Sequence, residues 1–183
     1  DEYYYVTLMN ENYTHPDMPE GAAEGIIKGM YLLSSPGKPK KGELRVQLMG
    51  SGTILREAIA AAELLDKDFG VTADIWSCPS FNELRRDGFD AERRNRLHPE
   101  AEPRKAYVDT DYVRAYADQI RAFVPMTYSV LGTDGFGRSD TRANLRRFFE
   151  VDRYYIAHAA IDALAREGTM NARDAARAIK VFG

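Results

Sequence analysis

The sequence predicts an α/β domain, a mostly parallel sheet with helices on both faces. Three observations predict it. Short apolar runs rich in β-formers (44–49, 72–78 and 127–131) alternate with longer stretches of helical spacing. Glycine turns stand where a strand would hand over to a helix, as in Gly50-Ser51-Gly52. Finally, 183 residues suffice for one domain with a real core plus an arm. Strands that alternate with helices pair in parallel and are covered on both sides.

Each element has its own signal. Residues 3–9, rich in Tyr, Val and Thr, read as a strand, and 10–19 as a Pro/Asn/Asp-rich connector. The spacing predicts a helix over 20–33, with Ile26, Ile27, Met30 and Leu33 on one side and Gly25 and Gly29 weakening it. A polar turn follows at 34–42, then the strand 44–49. The next helix, 53–69, carries Ile54, Ala58, Ala61 and Leu65 at helical spacing and should be capped by Gly70.

The strand 72–78 leads to Ser80 and Glu83, which have capping-box spacing before a polar helix. Residues 111–124 read as a helix stopped by Pro125. The strand 127–131 runs into "LGTDGFGRSDTR", with helix resuming after Ser139 or Asp140. An amphipathic helix at 153–167 should end at Gly168, and Asn171 to Asp174 can cap a last one. Ligands in such sheets sit beyond the carboxyl ends of the strands, where Gly50-Ser51-Gly52 and the 131–142 segment should both lie.

Composition narrows the function classes. Hydrophobic residues are 44% and charged residues 29%, ordinary for a soluble domain. A net charge of -3 gives no support for nucleic-acid binding, which needs a basic surplus. No apolar run approaches the roughly 20 residues of a membrane span, and no secretory-signal pattern is present. Cys78 is the only cysteine, which excludes a disulfide framework or multi-cysteine zinc site and fits a reducing, cytoplasmic setting. His15, His98 and His158 are far apart, without metal-ligand spacing. Asp1 enters a strand-like run without an initiator Met, and Gly183 follows a helical pattern directly. The chain therefore reads as a piece of something longer.

The motifs are weighed by spacing. Gly50-Ser51-Gly52 has the first two glycines of a dinucleotide fingerprint, but Leu55 stands at the third position. A tight strand-to-helix turn is favoured over a bound ligand. Gly132, Gly135 and Gly137 miss the P-loop spacing and have no lysine. Thr133-Asp134-Gly135 is like the Gly-Asp-Gly of a metal-diphosphate motif, but Thr133 replaces the first glycine and Asn144 comes too soon. A structural turn is favoured, with an interface or substrate-channel role for Asp134, Phe136, Arg138 and Ser139 as the alternative.

The run Arg85, Arg86, Arg93, Arg94, Arg96 is broken by acids and reads as a solvated helix face; Arg93 and Arg94 could alternatively dock an acidic partner. His158 and Asp162 are spaced as a surface pair rather than an acid/base dyad, and Cys78 as a small buried thiol. No nucleophile, base and oxyanion set assembles, so no catalytic, cofactor-binding or metal residue is assigned.

Four long stretches carry a resemblance: "YVTLMNENYTHPDMPEGAAEGIIKGMY", "LMGSGTILREAIAAAELL", "SFNELRRDGFDAERRNRLHP" and "LGTDGFGRSDTRANLRRFFEVD". In order, they resemble the C-terminal part of the decarboxylating first component of bacterial homodimeric pyruvate dehydrogenases. The Gly-x-x-x-Phe-Gly-x-Ser element also recurs more loosely in transketolases, whose C-terminal domain has the same fold. The resemblance implies that the full enzyme binds thiamine diphosphate and magnesium, decarboxylates pyruvate and passes the acetyl unit to a lipoyl group on the acyltransferase component.

It further implies that the cofactor and the catalytic groups belong to upstream domains, so none is expected on this piece. Residues 1–19 would end the preceding domain and its linker, and 20–183 would be the C-terminal domain, supporting the homodimer. The family continues after "EPRKAYV" through a short Val/Ala-rich stretch, whereas here Val108 meets Asp109 directly. Residues skipped at this junction are favoured over a lost strand, because deletion would orphan backbone donors and acceptors. Three functional readings follow: part of that enzyme and inactive alone, a docking module for the acyltransferase component, or a stand-alone small-molecule-binding α/β domain.

Overall fold

The computed structural model describes residues 12–110, 118–124, 127, 129–132 and 138–182. Along them run α1 (Ala22–Lys28), β1 (Tyr31–Ser34), β2 (Arg45–Gly50), α2 (Ile54–Phe69), β3 (Thr72–Ser77) and α3 (Phe81–Leu97). Two 3-10 helices (Tyr107–Thr110 and Asp118–Phe123) precede α4 (Arg142–Phe148), α5 (Arg153–Arg166) and α6 (Ala172–Phe182). The α/β expectation holds, with helices about a small mixed sheet. The strand order is β1-β3-β2. β2 and β3 are parallel, from Arg45 opposite Thr72 to Gly50 opposite Ser77, while β1 lies antiparallel to β3.

The antiparallel strand corrects the helix expected over 20–33. α1 stops at Lys28 because Gly29 takes the left-handed conformation (φ 104°), its N–H bonding back to the carbonyls of Gly25 and Ile26. A Cβ at Gly29 would also lie 2.4 Å from the Ser80 carbonyl oxygen, so only glycine fits. The chain then turns into β1. Met30 is fully buried while Ile27 is 77% exposed, so the apolar spacing ran across two elements.

Two more expectations change. The described residues of 127–131 are not in a strand, and 118–123 form a 3-10 helix rather than the end of an α-helix. The strand expected at 3–9, and most of the helix expected at 111–124, lie outside the described residues.

Elsewhere the local signals work as read. Gly50 brings α2 back against its own strand, since a Cβ there would sit 2.5 Å from the Leu55 Cα. Gly70 caps α2 with its N–H on the Asp66 carbonyl. Ser80 Oγ accepts the Glu83 N–H at 3.3 Å, but the second half of the capping box is not made. The Glu83 carboxylate takes Arg86 instead, and the Ser80 N–H donates to the Gly29 carbonyl. α5 starts on Asp152, whose Oδ1 accepts the N–H groups of Tyr154 and Tyr155. At α6, Asn171 Oδ1 accepts the Arg173 N–H as expected.

The strand alternation divides the core. Val46 and Leu48 point into a cluster with Ala58, Ala61 and Leu65 of α2 and Ala157, Ile161 and Leu164 of α5. Met49 points the other way, with Met30, Cys78, Leu84, Val108 and Ile120. On that second face a polar ladder ties β2 to β3. Arg45 donates to Asp74 through Nε at 2.8 Å and Nη2 at 2.6 Å, Gln47 donates to Asp74 at 2.7 Å, and Trp76 donates to Gln47 at 2.7 Å. Burial pushes the Asp74 carboxyl up, but its bonds from Arg45, Ser35 and Gln47 outweigh this and hold it below the usual carboxylate range.

Candidate functional site

The carboxyl edge of the sheet is organised by one buried carboxylate. Glu57 lies in the first turn of α2, directly after the Gly50-Ser51-Gly52 turn, and is 4% exposed. Arg146 of α4 donates to it at 3.0 Å. Arg153 of α5 donates three times, through its backbone N–H at 3.1 Å, Nε at 2.9 Å and Nη2 at 3.2 Å. Burial raises the Glu57 carboxyl, but the hydrogen bonds and charge of Arg153, with Arg146 behind them, hold it below the usual range. The carboxylate thus clamps the α4–α5 corner onto the sheet edge. The corner itself is tight, with Glu150 at a positive φ of 56° and Val151 buried beside it.

The clamp carries α4 and the residues before it. α4 is capped by Thr141, whose hydroxyl accepts the Asn144 N–H, and not by Ser139 or Asp140 as the sequence suggested. Asp140 braces the same turn from one residue earlier. Its Oδ1 accepts from the Asn144 amide at 2.8 Å and from the Thr141 N–H at 2.7 Å. Those bonds, the Asn144 amide first, lower its carboxyl. Arg138 is exposed, its guanidinium 4.2 Å from the Phe148 ring centroid, a cation–π contact. Ser139 is exposed beside it. A shallow recess is lined by Arg138, Asp140, Asn144, Arg147 and Phe148.

Asp134 and Phe136 lie outside the described residues. Leu131, at the start of their segment, lines one groove with Met49 and Ile54, which flank the Gly-Ser-Gly turn, so the segment begins at the expected edge. Arg93 and Arg94 stand elsewhere, on the exposed side of α3, with Arg94 donating to the Glu102 carbonyl at 3.1 Å. The structure therefore groups Arg138 and Ser139 but ties neither to the α3 arginines. Sequence reasoning missed Glu57. Nothing marks it as different from other helical acids, and its partners come some ninety residues later.

At the start of α2, Ile54 N–H bonds the Ser51 carbonyl and Leu55 N–H the Gly52 carbonyl, and the acid of Glu57 stands one turn on, which disfavours an anion at this helix start. Among the described residues, no group of three His, Cys, Asp or Glu could hold a metal ion. Cys78 is no nucleophile, because burial pushes its thiol up to about 12. The Asp162 carboxylate pairs with Arg166 at 2.8 Å, which accounts for it without His158. No helix among the described residues is long and apolar enough to cross a membrane.

Residues 29–152 match the model of the transketolase-like TK C-terminal domain. The chain belongs to this family. A transketolase-like C-terminal domain agrees with the α/β fold and places α4 and the capped recess inside the matched region, with α5 and α6 beyond it. Curated relatives resemble the whole chain. A protein of Cupriavidus necator named pyruvate dehydrogenase E1 component is 56% identical over 195 positions, taking in 100% of this chain and 22% of its own length. The protein of that name from Pseudomonas aeruginosa is 55% identical, with the same shares. The one from Escherichia coli K12 is 50% identical across 98% of this chain and 21% of its own length. The chain thus spans about a fifth of the length of the curated relatives it matches.

Proposed function

We propose that residues 20–183 are the C-terminal domain of a pyruvate dehydrogenase E1 subunit, with 1–19 closing the preceding domain and linker. The whole subunit decarboxylates pyruvate with thiamine diphosphate and magnesium and transfers the acetyl unit to a lipoyl group on the acyltransferase component. In this reading the chain supports the homodimer, is inactive alone and works in the cytoplasm, where a reduced, buried Cys78 is at home. The observation that carries it is the 56% identity maintained through the whole chain while only 22% of the relative is covered.

Among the described residues, the Glu57 carboxylate is engaged by Arg146 and Arg153 and the Asp152 carboxylate by the first turn of α5. Calorimetry with thiamine diphosphate and magnesium should show no binding to this chain, and full binding to the subunit that contains it. Cofactor binding by the chain alone at the subunit's affinity would sink the proposal.

A docking role is the second reading, favoured by the exposure of Arg93 and Arg94 on one helix. Reversal of both to Glu in the whole subunit should weaken assembly with the acyltransferase component and leave decarboxylation intact. Unchanged assembly removes this reading.

A further inference from the structure

The loop between β1 and β2 gathers charge of one sign. Lys38, Lys40 and Lys41 stand within residues 35–42, all of which are exposed. Among the described residues, none of the three ammonium groups makes an ion pair. The whole chain, by contrast, carries a net charge of -3. The loop lies at the amino ends of β2 and β3, where the Thr72 N–H donates to the Leu44 carbonyl, and so at the opposite sheet edge from Glu57. Lysines on a slack loop would be an ordinary solvated surface. This loop is not slack.

Arg45 reaches into it from β2. Its Nη2 donates to Ser35 Oγ at 2.9 Å and to the Gly37 carbonyl at 2.7 Å, while Asp74 grips the same guanidinium. The Arg45 and Asp74 side chains are only 10% and 12% exposed. A pair withdrawn from water must be repaid by well-placed partners, and two of the acceptors around Arg45 belong to the loop. Ser35 Oγ also accepts the Gly37 N–H at 3.2 Å. At the far end Glu43 closes the turn. Its Oε2 accepts the Lys40 N–H at 2.6 Å, its own N–H donates to the Lys40 carbonyl at 3.1 Å, and its Oε1 accepts the Thr72 hydroxyl at 2.6 Å. Pro36 and Pro39 fix two further φ angles. The acid beside the lysines is thus spent on the framework, and the lysines are left to face water.

We propose that this braced loop is a preformed cationic surface, with Lys38, Lys40 and Lys41 binding a carboxylate-rich segment of a protein partner. Because Arg45 and Glu43 already hold the backbone, little ordering of the loop accompanies binding. Three exposed charges match a short run of Asp and Glu. They match a nucleic acid poorly, since that affinity grows with each phosphate neutralised and the acidic balance of the chain opposes it. The assignment stands on the loop itself, independently of the proposed activity and of the arginines on α3.

The test titrates the full-length protein that contains this chain onto a fluorescein-labelled Glu/Ser peptide and follows fluorescence anisotropy. Joint reversal by Lys38→Glu, Lys40→Glu and Lys41→Glu should weaken binding about tenfold or more, and added salt should weaken the unaltered protein in the same sense. Ser35→Ala keeps every charge but removes the oxygen shared by Arg45 and the Gly37 N–H, and should weaken binding about threefold. No binding by the unaltered protein, or unchanged binding in the triple variant, overturns the proposal. Unchanged binding with Ser35→Ala also overturns it, because the lysines then act as loose charges. Tighter binding of an oligothymidine of equal charge does the same, since phosphate is then the preferred ligand. Should the reversed variant fail to fold, joint change of the three lysines to Gln replaces it, with loss of binding expected and unchanged binding again decisive against the proposal.

Discussion

On one face of the sheet, α2, α5 and α6 lay long helices side by side, α5 packing on both neighbours. On the other, α3 shares the closure with two 3-10 helices and with Met30 at the turn from α1 into β1. The first face is built from periodic stripes of Ala, Leu and Ile. The second is built from single residues delivered by separate segments: Met30, Met49, Cys78, Leu84, Val108 and Ile120. Helical stripes tolerate local error because each turn repeats the contact. A core assembled from single deliveries depends on every backbone corner that aims them.

That contrast is open to direct attack, and the largest effect should come from a corner. Gly29→Ala forces a side chain into the left-handed region and onto the Ser80 carbonyl. We expect a loss of about 4 kcal/mol, read from urea unfolding midpoints. Amide exchange should rise through α3 before it rises in α5 and α6. Uniform acceleration would show that the two faces open as one.

Next, Ile161→Ala removes a fully buried side chain from the striped face and should cost about 3 kcal/mol, within the usual span for such cavities. Its exchange effect should centre on α2 and α5. The smallest effect expected is at the clamp, where Glu57→Gln leaves two guanidinium groups that can still reach water, and costs about 2 kcal/mol.

The same variant tests the pH dependence. The folded carboxyl sits below its usual value of 4.5, so the folded state binds that proton less readily than the unfolded chain. The stabilisation is complete above about that pH and is lost as the pH falls through the lower folded value. Glu57→Gln should therefore flatten part of the acid limb of a stability curve, while Asp74, shifted in the same direction, retains the rest.

Sequence reasoning succeeded where structure is local and periodic. The Gly50-Ser51-Gly52 turn, the Gly70 and Ser80 caps and the helix over α5 were all legible, because each is decided within a few residues. β1 was not, because Gly29 serves both as a helix cap and as a close contact to Ser80, fifty residues away. With β1 hidden, its antiparallel pairing with β3 was hidden too. At the site, Arg138 and Ser139 were found as exposed candidates, but the capping residue was displaced to Thr141, whose hydroxyl is aimed at the Asn144 N–H. Glu57 left no local trace at all. The polar ladder did leave one: Arg45, Gln47 and Asp74 are polar residues on strands with both faces covered, and such groups must find partners inside.

Cys78 gives the molecule a clock. Its thiol is 1% exposed at the end of the central strand, among the residues that close the less regular face. With the proton held up to about 12, an alkylating reagent meets no thiolate until that face comes apart. As the chain has no other cysteine, each labelled molecule records one such opening event.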